Sequence, residues 1–150
     1  MNPLKLLLTA LALSLAASAA VGQNMKPNGD NRELLRMGLY PPDILMRNQQ
    51  DIGITGEQRK TIANLVREFQ GEITELQWDM PSEQQKLRSM LRQDTVDSAA
   101  ALEQVEKVLG METQFKIAHF ELLIAIKNEL TPEQIKGIDE TVRRRLSKAR

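Results

Sequence analysis

Apolar side chains recur every three or four residues over most of the chain after Thr55, which is the spacing of an amphipathic helix. The clearest series consists of Ile62, Val66, Phe69, Ile73, Leu76 and Met80. Pro81 follows it, and because proline removes a backbone donor and crowds the preceding turn, we expect a kink or a short break there. The pattern resumes at Leu87, so the sequence predicts one long helix interrupted near its middle.

A second long helix is predicted to begin at Thr95 or Asp97, because either side chain can accept a hydrogen bond from the free amides of a first turn. Its helical stripe runs through Val105, Leu109, Glu112, Lys116, His119, Leu123, Ile126 and Leu130. A last helix is predicted from Thr131, with an apolar series at Ile135, Ile138, Val142 and Leu146.

No stretch alternates apolar and polar residues with the period of two that a half-buried strand requires, and aromatic residues make up only 3% of the chain. Shorter helices are expected around residues 30–38 and 40–53, before the two long ones. The predicted fold is therefore all-α: a long antiparallel helical hairpin with flanking shorter helices, or an open bundle of these helices.

The first residues have the pattern of an export signal. One lysine precedes the apolar run LLLTALALSLAASAA, which closes on small residues of the A-x-A kind, so residues 1–20 are predicted to be a signal peptide cleaved between about 19 and 22. A membrane anchor is the alternative, but the run is shorter than the ~20 apolar residues that a spanning helix needs. We therefore expect an exported protein with no membrane insertion after the signal is removed.

The mature chain is expected to have three parts. Residues 21–39 are predicted to be a leader, mobile or forming a short helix, residues 40–147 a single all-helical domain, and residues 148–150 the end of a basic tail. The tail sequence VRRRLSKAR carries five cations and no anion, which is typical of a solvated helix end, with a docking tail as the alternative.

Composition excludes several classes of function. The chain has no cysteine, which rules out disulfides, thiolate metal sites and a cysteine nucleophile. It has 20 basic and 20 acidic residues, so no global field attracts nucleic acid. It also has a single histidine and no phosphate-binding glycine loop, and we therefore predict that the protein is not an enzyme and needs no cofactor.

Two short segments, ITGEQ and LTPEQ, repeat the pattern of a threonine followed three residues later by glutamine. This is a capping box, in which the hydroxyl and the amide satisfy free backbone groups at a helix start. An aliphatic residue precedes each threonine, so the two motif copies are Ile54, Thr55 and Gln58, and Leu130, Thr131 and Gln134. Capping alone accounts for this chemistry without a ligand.

The two copies, together with YPPDILMRNQQDIG before the first and LLIAIKNE before the second, resemble the exported LTxxQ-motif proteins of Gram-negative bacteria. This is the Spy/CpxP-like group, which is related to periplasmic heavy-metal sensors, and the resemblance covers about residues 40–140. It implies a periplasmic protein that is all-helical and curved, an open bundle that is usually a dimer and acts without ATP. Members shield unfolded polypeptides, restrain an envelope-stress sensor kinase, or bind metal for a resistance system.

The segment IAHFELLIAI, residues 117–126, is apolar on nearly every side of a helix, so a second subunit or a bound polypeptide is expected to cover part of it. The candidate polypeptide-binding or dimer surface consists of Met46, Trp78, Ile117, Phe120, Leu122 and Ile124. Trp78 falls on the outward side of its helix, unless Pro81 shifts the register and the indole folds onto the preceding short helix.

The favoured function is an ATP-independent periplasmic chaperone or envelope-stress adaptor, a homodimer whose partners are unfolded envelope proteins or a sensor kinase. The alternative is a metal-responsive sensor or resistance protein that holds Zn, Ni or Cu through His119 and Glu112. These two residues are separated by two turns, roughly 10 Å, so an ion between them needs ligands from another helix or subunit. The plainer interpretation is that Glu112 pairs with Lys116 and that His119 lies at a helix interface.

Overall fold

Helices are the regular secondary structure of the part of the chain that the structure describes. The structure is a computed structural model, and it describes the backbone of residues 29–148 and the side chains of residues 31–144. Those residues form five helices and no strand: α1 (Gly29–Arg36), α2 (Pro42–Asn48), α3 (Gly56–Leu91), α4 (Ser98–Asn128) and α5 (Pro132–Lys148). The predicted all-α class is confirmed.

Contacts divide the chain after Arg32, and the unit that begins at Glu33 contains α2 to α5. The predicted signal peptide and the last two residues of the basic tail lie outside the described residues. The signal peptide, the tail and the domain boundaries at 21–39 and 40–147 stay predictions.

Helices α3 and α4 pack against each other as an antiparallel hairpin. Early in α3, Gln58 donates a hydrogen bond to the carbonyl of Glu129, just beyond the end of α4. Late in α3, Glu83 accepts one from Gln104, near the start of α4. We call the first end of the hairpin the base, and the other end, with the loop at residues 92–97, the tip.

The main apolar core lies at the base. There α2, the loops around it, α5 and the hairpin enclose Tyr40, Ile44, Leu45, Ile52, Ile62, Leu122, Ile126, Leu130 and Ile138. Toward the tip, the buried apolar side chains come from α3 and α4, namely Ile73, Leu76, Leu87, Ala101, Val108 and Ala118. The hairpin is therefore anchored by several elements at the base and is two helices thick toward the tip.

Pro81 does not interrupt α3, which runs without a break from Gly56 to Leu91. The expected break is wrong because contacts with α4 hold the helix on both sides of the proline. Leu76 and Leu87 are buried against the hairpin partner, while the ring of Pro81 is exposed and needs no space in the core.

A polar brace joins the two long helices two residues beyond Pro81. The carboxylate of Glu83 accepts hydrogen bonds from Gln104 Nε2 at 2.7 Å and from Lys107 Nζ at 2.6 Å, and the Glu83 carbonyl accepts a third from Gln104 Nε2 at 3.0 Å. The bond from Lys107, followed by that from Gln104, lowers the pKa of Glu83. Because Gln104 is buried, these bonds fix the register of α4 on α3.

The buried face of α4 differs from the predicted stripe in the first half of the helix. Ala101, Gln104 and Val108 are buried, whereas the predicted Leu109 is 47% exposed. Leu109 was placed on the buried stripe because α4 carries apolar residues on two faces. The pattern of large side chains therefore did not identify the face that packs against α3. The face that meets α3 instead uses small residues and a buried glutamine.

Replacing Pro81 with alanine is expected to stabilise the protein by about 1–3 kcal/mol, because it restores a helical backbone donor at an exposed position inside α3. Urea denaturation of the two proteins measures the difference. Ser82→Ala, the neighbouring exposed position, is the matched control and is expected to gain only a few tenths of a kcal/mol. An unstable Pro81→Ala protein would show that α3 relies on the proline's local geometry.

Candidate functional site

Both copies of the repeated motif form the predicted capping boxes. In the first copy, Gln58 N donates to Thr55 Oγ1 at 3.1 Å, and Thr55 N donates to Gln58 Oε1 at 3.0 Å. In the second copy, the corresponding distances between Thr131 and Gln134 are 3.3 and 2.9 Å. The repeat therefore starts α3 and α5, as its chemistry predicts.

The two motif glutamines also bind each other, which the sequence did not indicate. Each Nε2 donates to the other residue's Oε1 at 2.8 Å. Gln58 Nε2 donates further to the carbonyl of Glu129 at 2.7 Å, and Gln134 Nε2 to that of Gly53 at 3.0 Å. In each case the carbonyl lies two residues before the threonine of the other copy. We call this reciprocal arrangement of Gln58 and Gln134 the glutamine clasp.

The clasp explains why the motif recurs with similar flanks. Each glutamine amide caps its own helix with its oxygen and binds the opposite motif with its nitrogen, so the two helix starts are held at a fixed distance and orientation. Gln134 is 7% exposed, and burial makes an unpaired amide costly, so neither partner is replaceable by an apolar residue without loss.

Tyr40 adds a second polar connection at the base. Its hydroxyl donates to Asp139 Oδ1 at 3.0 Å, which joins the segment before α2 to α5. Burial of the ring, together with the hydrogen bond and the charge of Asp139, raises the pKa of Tyr40 to about 12. The phenol therefore stays neutral at physiological pH and keeps its donor.

Five of the six residues predicted to form an interaction surface are exposed. The exposed fractions are 63% for Met46, 79% for Trp78, 55% for Ile117, 40% for Phe120 and 49% for Ile124. Leu122 is a correction, since it is 7% exposed and belongs to the base core. At about 100° per residue, a side chain two positions from Phe120 and Ile124 points to the other side of the helix, toward α3.

Two further residues complete an apolar surface on α4 that sequence reasoning missed. Leu102 is 62% exposed and Leu109 is 47% exposed. With a helical turn of 3.6 residues, they lie in line with the three exposed predicted residues of α4, on the side turned away from α3. We call this surface the outer face of α4; it consists of Leu102, Leu109, Ile117, Phe120 and Ile124. Its steps of seven and eight residues were the signal that would have revealed it.

Trp78 occupies a different surface. It lies on α3, about half a turn of the helix from the buried Ile73 and Leu76, so its indole points away from α4. The alternative that it folds onto the preceding short helix is wrong, because 79% of the residue is exposed. Its neighbours on that side of α3 are polar, so Trp78 does not extend the outer face of α4.

The two candidate metal ligands lie at the contact between α3 and α4. The His119 ring packs 5.7 Å from the ring of Phe69 and 6.4 Å from that of Phe115, and burial there lowers its pKa. Glu112 accepts a hydrogen bond from Gln84 Nε2 at 3.4 Å instead of pairing with Lys116. In the part of the chain that the structure describes, no three His, Cys, Asp or Glu side chains are grouped so that they would hold a metal ion.

The sequence model of the heavy-metal resistance family matches residues 4–136, a range that contains both motif copies and the whole hairpin. The chain belongs to this family. The match confirms the resemblance to the Spy/CpxP-like proteins, and the family is one of periplasmic helical proteins of a non-catalytic kind. No curated protein and no solved structure shows a significant match. None of the helices within residues 29–148 is long and apolar enough to cross a membrane.

Removing either side of the glutamine clasp is expected to destabilise the family fold. Gln58→Ala and Gln134→Ala should each lower the free energy of unfolding by about 1–3 kcal/mol, because each leaves partly buried polar groups without partners. The double variant should lose less than the sum of the two, by about 1 kcal/mol, since both changes remove the same bonds. Urea denaturation measures all three. The exposed Gln77→Ala is the control, with an expected change within about 0.5 kcal/mol, and strictly additive losses would contradict the clasp.

Stability is expected to fall as the pH drops below about 6.5, the ordinary pKa of histidine. Burial lowers the pKa of His119 in the folded state, so the unfolded chain binds the proton more readily and acid favours unfolding. His119→Phe, which keeps an aromatic ring beside Phe69 and Phe115, should remove this part of the pH dependence. Thermal melts from pH 7.5 to 5 compare the variant with the parent, and parallel curves would refute the role of His119.

Proposed function

We propose that this protein is an ATP-independent periplasmic chaperone or envelope-stress adaptor, which binds unfolded or partner polypeptide on the outer face of α4. The supporting observation is that five large apolar side chains, each 40–62% exposed, line one side of a single helix. Isolated exposed apolar residues are common on ordinary monomers, whereas exposed apolar residues that lie in a continuous line are typical of an interaction site.

The fold suits such a role because stability and binding use different sides of α4. Core residues such as Val108 and Ala118 are buried, with 1% and 3% exposure, whereas the side chains of the outer face are 40–62% exposed. Burying a large apolar side chain fully contributes ~1.5–3 kcal/mol, so covering part of this face yields useful affinity without nucleotide hydrolysis. The polypeptide class is therefore one with exposed apolar segments, which unfolded envelope proteins provide.

We also propose that the protein is a homodimer, as the resemblance to Spy/CpxP-like proteins implies. The hairpin is two helices thick toward the tip, and such a thin layer gains stability when a second copy covers some of it. Sedimentation equilibrium of the mature protein measures the mass directly.

The direct test measures light scattering while a denatured client is diluted into buffer with the mature protein, in chelator and again with zinc. Suppressed aggregation in both conditions is the expected result. Ile117→Gln combined with Phe120→Gln should abolish most of the suppression without unfolding the protein, because both side chains are exposed. The matched control, Ile117→Leu with Phe120→Leu, keeps the face apolar and should retain it.

Two results would contradict the proposal. Full suppression by the glutamine variant would show that polypeptide binds elsewhere, and no suppression by the parent protein would exclude general chaperone activity. Circular dichroism of each variant confirms that the helices are intact, so a loss of suppression is not a loss of fold.

The family description favours a second candidate, a metal-binding sensor or resistance protein that uses His119 and Glu112. Because His119 is half-buried between Phe69 and Phe115 and the described side chains supply no third ligand nearby, a closed site requires ligands from a second subunit. His119 would then carry both the metal and the pH response.

Calorimetric titration with zinc, nickel and copper tests this candidate. His119→Ala is expected to abolish any stoichiometric binding, whereas Gln114→Ala, an exposed position on the same helix, should leave it unchanged. Absence of binding heat in the parent protein for all three ions would eliminate His119 as a metal ligand.

A further inference from the structure

Three exposed glutamates border the outer face of α4. Glu103 and Glu121 are 18 residues apart, which is five helical turns, so both lie along the same edge of the face. Glu106 lies on the apolar line itself, between Leu102 and Leu109, because it is 18 residues before Ile124 and has the same angular position. None of the three has a hydrogen bond or an ion pair with any residue that the structure describes, so their charges are available to a partner.

The basic residues of this part of α4 do not neutralise that edge. Lys107 lies one helical turn after Glu103, about 40° around the helix from that edge toward α3, and its Nζ is bound to the Glu83 carboxylate at 2.6 Å. Lys116 is exposed, but it lies on the opposite border of the apolar line, about 140° around the helix from Glu103 and Glu121. The outer face therefore combines large apolar side chains with a negative edge along one side.

From this arrangement, and on the basis of the proposed function, we infer that the outer face of α4 selects polypeptide segments that combine large apolar residues with lysine or arginine. The aliphatic stems of lysine and arginine pack along apolar surface while their charged ends reach outward, here toward the glutamates. Segments with acidic residues at the same positions would meet like charge beside the face and be rejected.

A second copy of the chain fits this face less well than a cationic segment does. Two α4 helices laid antiparallel match their apolar residues best when Leu102 is opposite Ile124 and Leu109 is opposite Ile117. That register brings Glu103 of one copy close to Glu121 of the other, with no intervening cation on that edge. Repulsion between these carboxylates disfavours self-pairing here, so the proposed dimer uses other surfaces.

Two fluorescent peptides with the same apolar residues test the inference, one carrying lysines between them and the other glutamates at the same positions. Fluorescence anisotropy with the mature protein at low salt should show that the lysine peptide binds about tenfold more tightly, as expected of several exposed charge pairs. Raising the ionic strength toward 1 M should shrink the difference, because exposed charges are then screened beyond about 3 Å.

The variant with Glu103→Gln, Glu106→Gln and Glu121→Gln should bind both peptides within about threefold of each other, since the apolar residues remain and the charge is gone. The matched control removes three exposed glutamates from α3 instead, through Glu68→Gln, Glu72→Gln and Glu75→Gln, and should keep the preference for lysine. A preference that survives in the first variant, or equal binding of both peptides to the parent, would overturn the inference.

Failure of the inference and failure of the proposed function give different results. If both peptides bind the parent equally and Ile117→Gln with Phe120→Gln abolishes that binding, the outer face binds polypeptide without charge selection. If neither peptide binds and client aggregation is not suppressed, the proposed function itself is wrong. A third result would also overturn the inference: the parent protein binds neither peptide, and the variant with Ile117→Gln and Phe120→Gln is monomeric. That result would show that a second copy of the chain occupies the outer face of α4.

Discussion

The hydrogen bonds between Gln58 and Gln134 are the interaction on which the arrangement of the helices depends. Three chain segments meet there: the start of α3, the end of α4 with its following turn, and the start of α5. Without these bonds, the buried amide of Gln134 and the partly buried amide of Gln58 would lose partners, which is costly at the edge of an apolar core. The clasp thus holds the starts of α3 and α5 in place around the base core, and the long hairpin extends from this core.

Most of the fold could be predicted from the sequence because it depends on local sequence patterns. The helical periodicity of α3 and the capping boxes at Thr55 and Thr131 depend on residues close together in the chain, and both are present as predicted. The break expected at Pro81 is absent because contacts with α4 outweigh the local preference of proline. Those contacts come from residues more than twenty positions away in sequence. Propensity describes an isolated segment, whereas packing decides the final helix.

The candidate site was only partly predictable for the same reason. The sequence showed that residues 117–126 are strongly apolar. It did not show which of them face the core, as Leu122 does, and which face outward, because that depends on the position of α3. Leu102 was left unassigned and Leu109 was assigned to the buried stripe, because the spacing of the large apolar residues does not show that Ala101 and Val108 occupy the face that packs. The reciprocal bonding of the two glutamines joins residues 76 positions apart, and no local pattern reports such a pairing.

The two-sided character of α4 has a consequence for how such a protein changes over evolutionary time. Substitutions at Leu102, Ile117 or Ile124 change the exposed apolar surface of the helix and disturb its packing less than substitutions at the buried Val108 or Ala118 do. Changes of surface chemistry and changes of packing thus fall on largely separate sets of positions within one helix. A lineage can vary the exposed side of α4 without first accumulating surplus stability on the buried side.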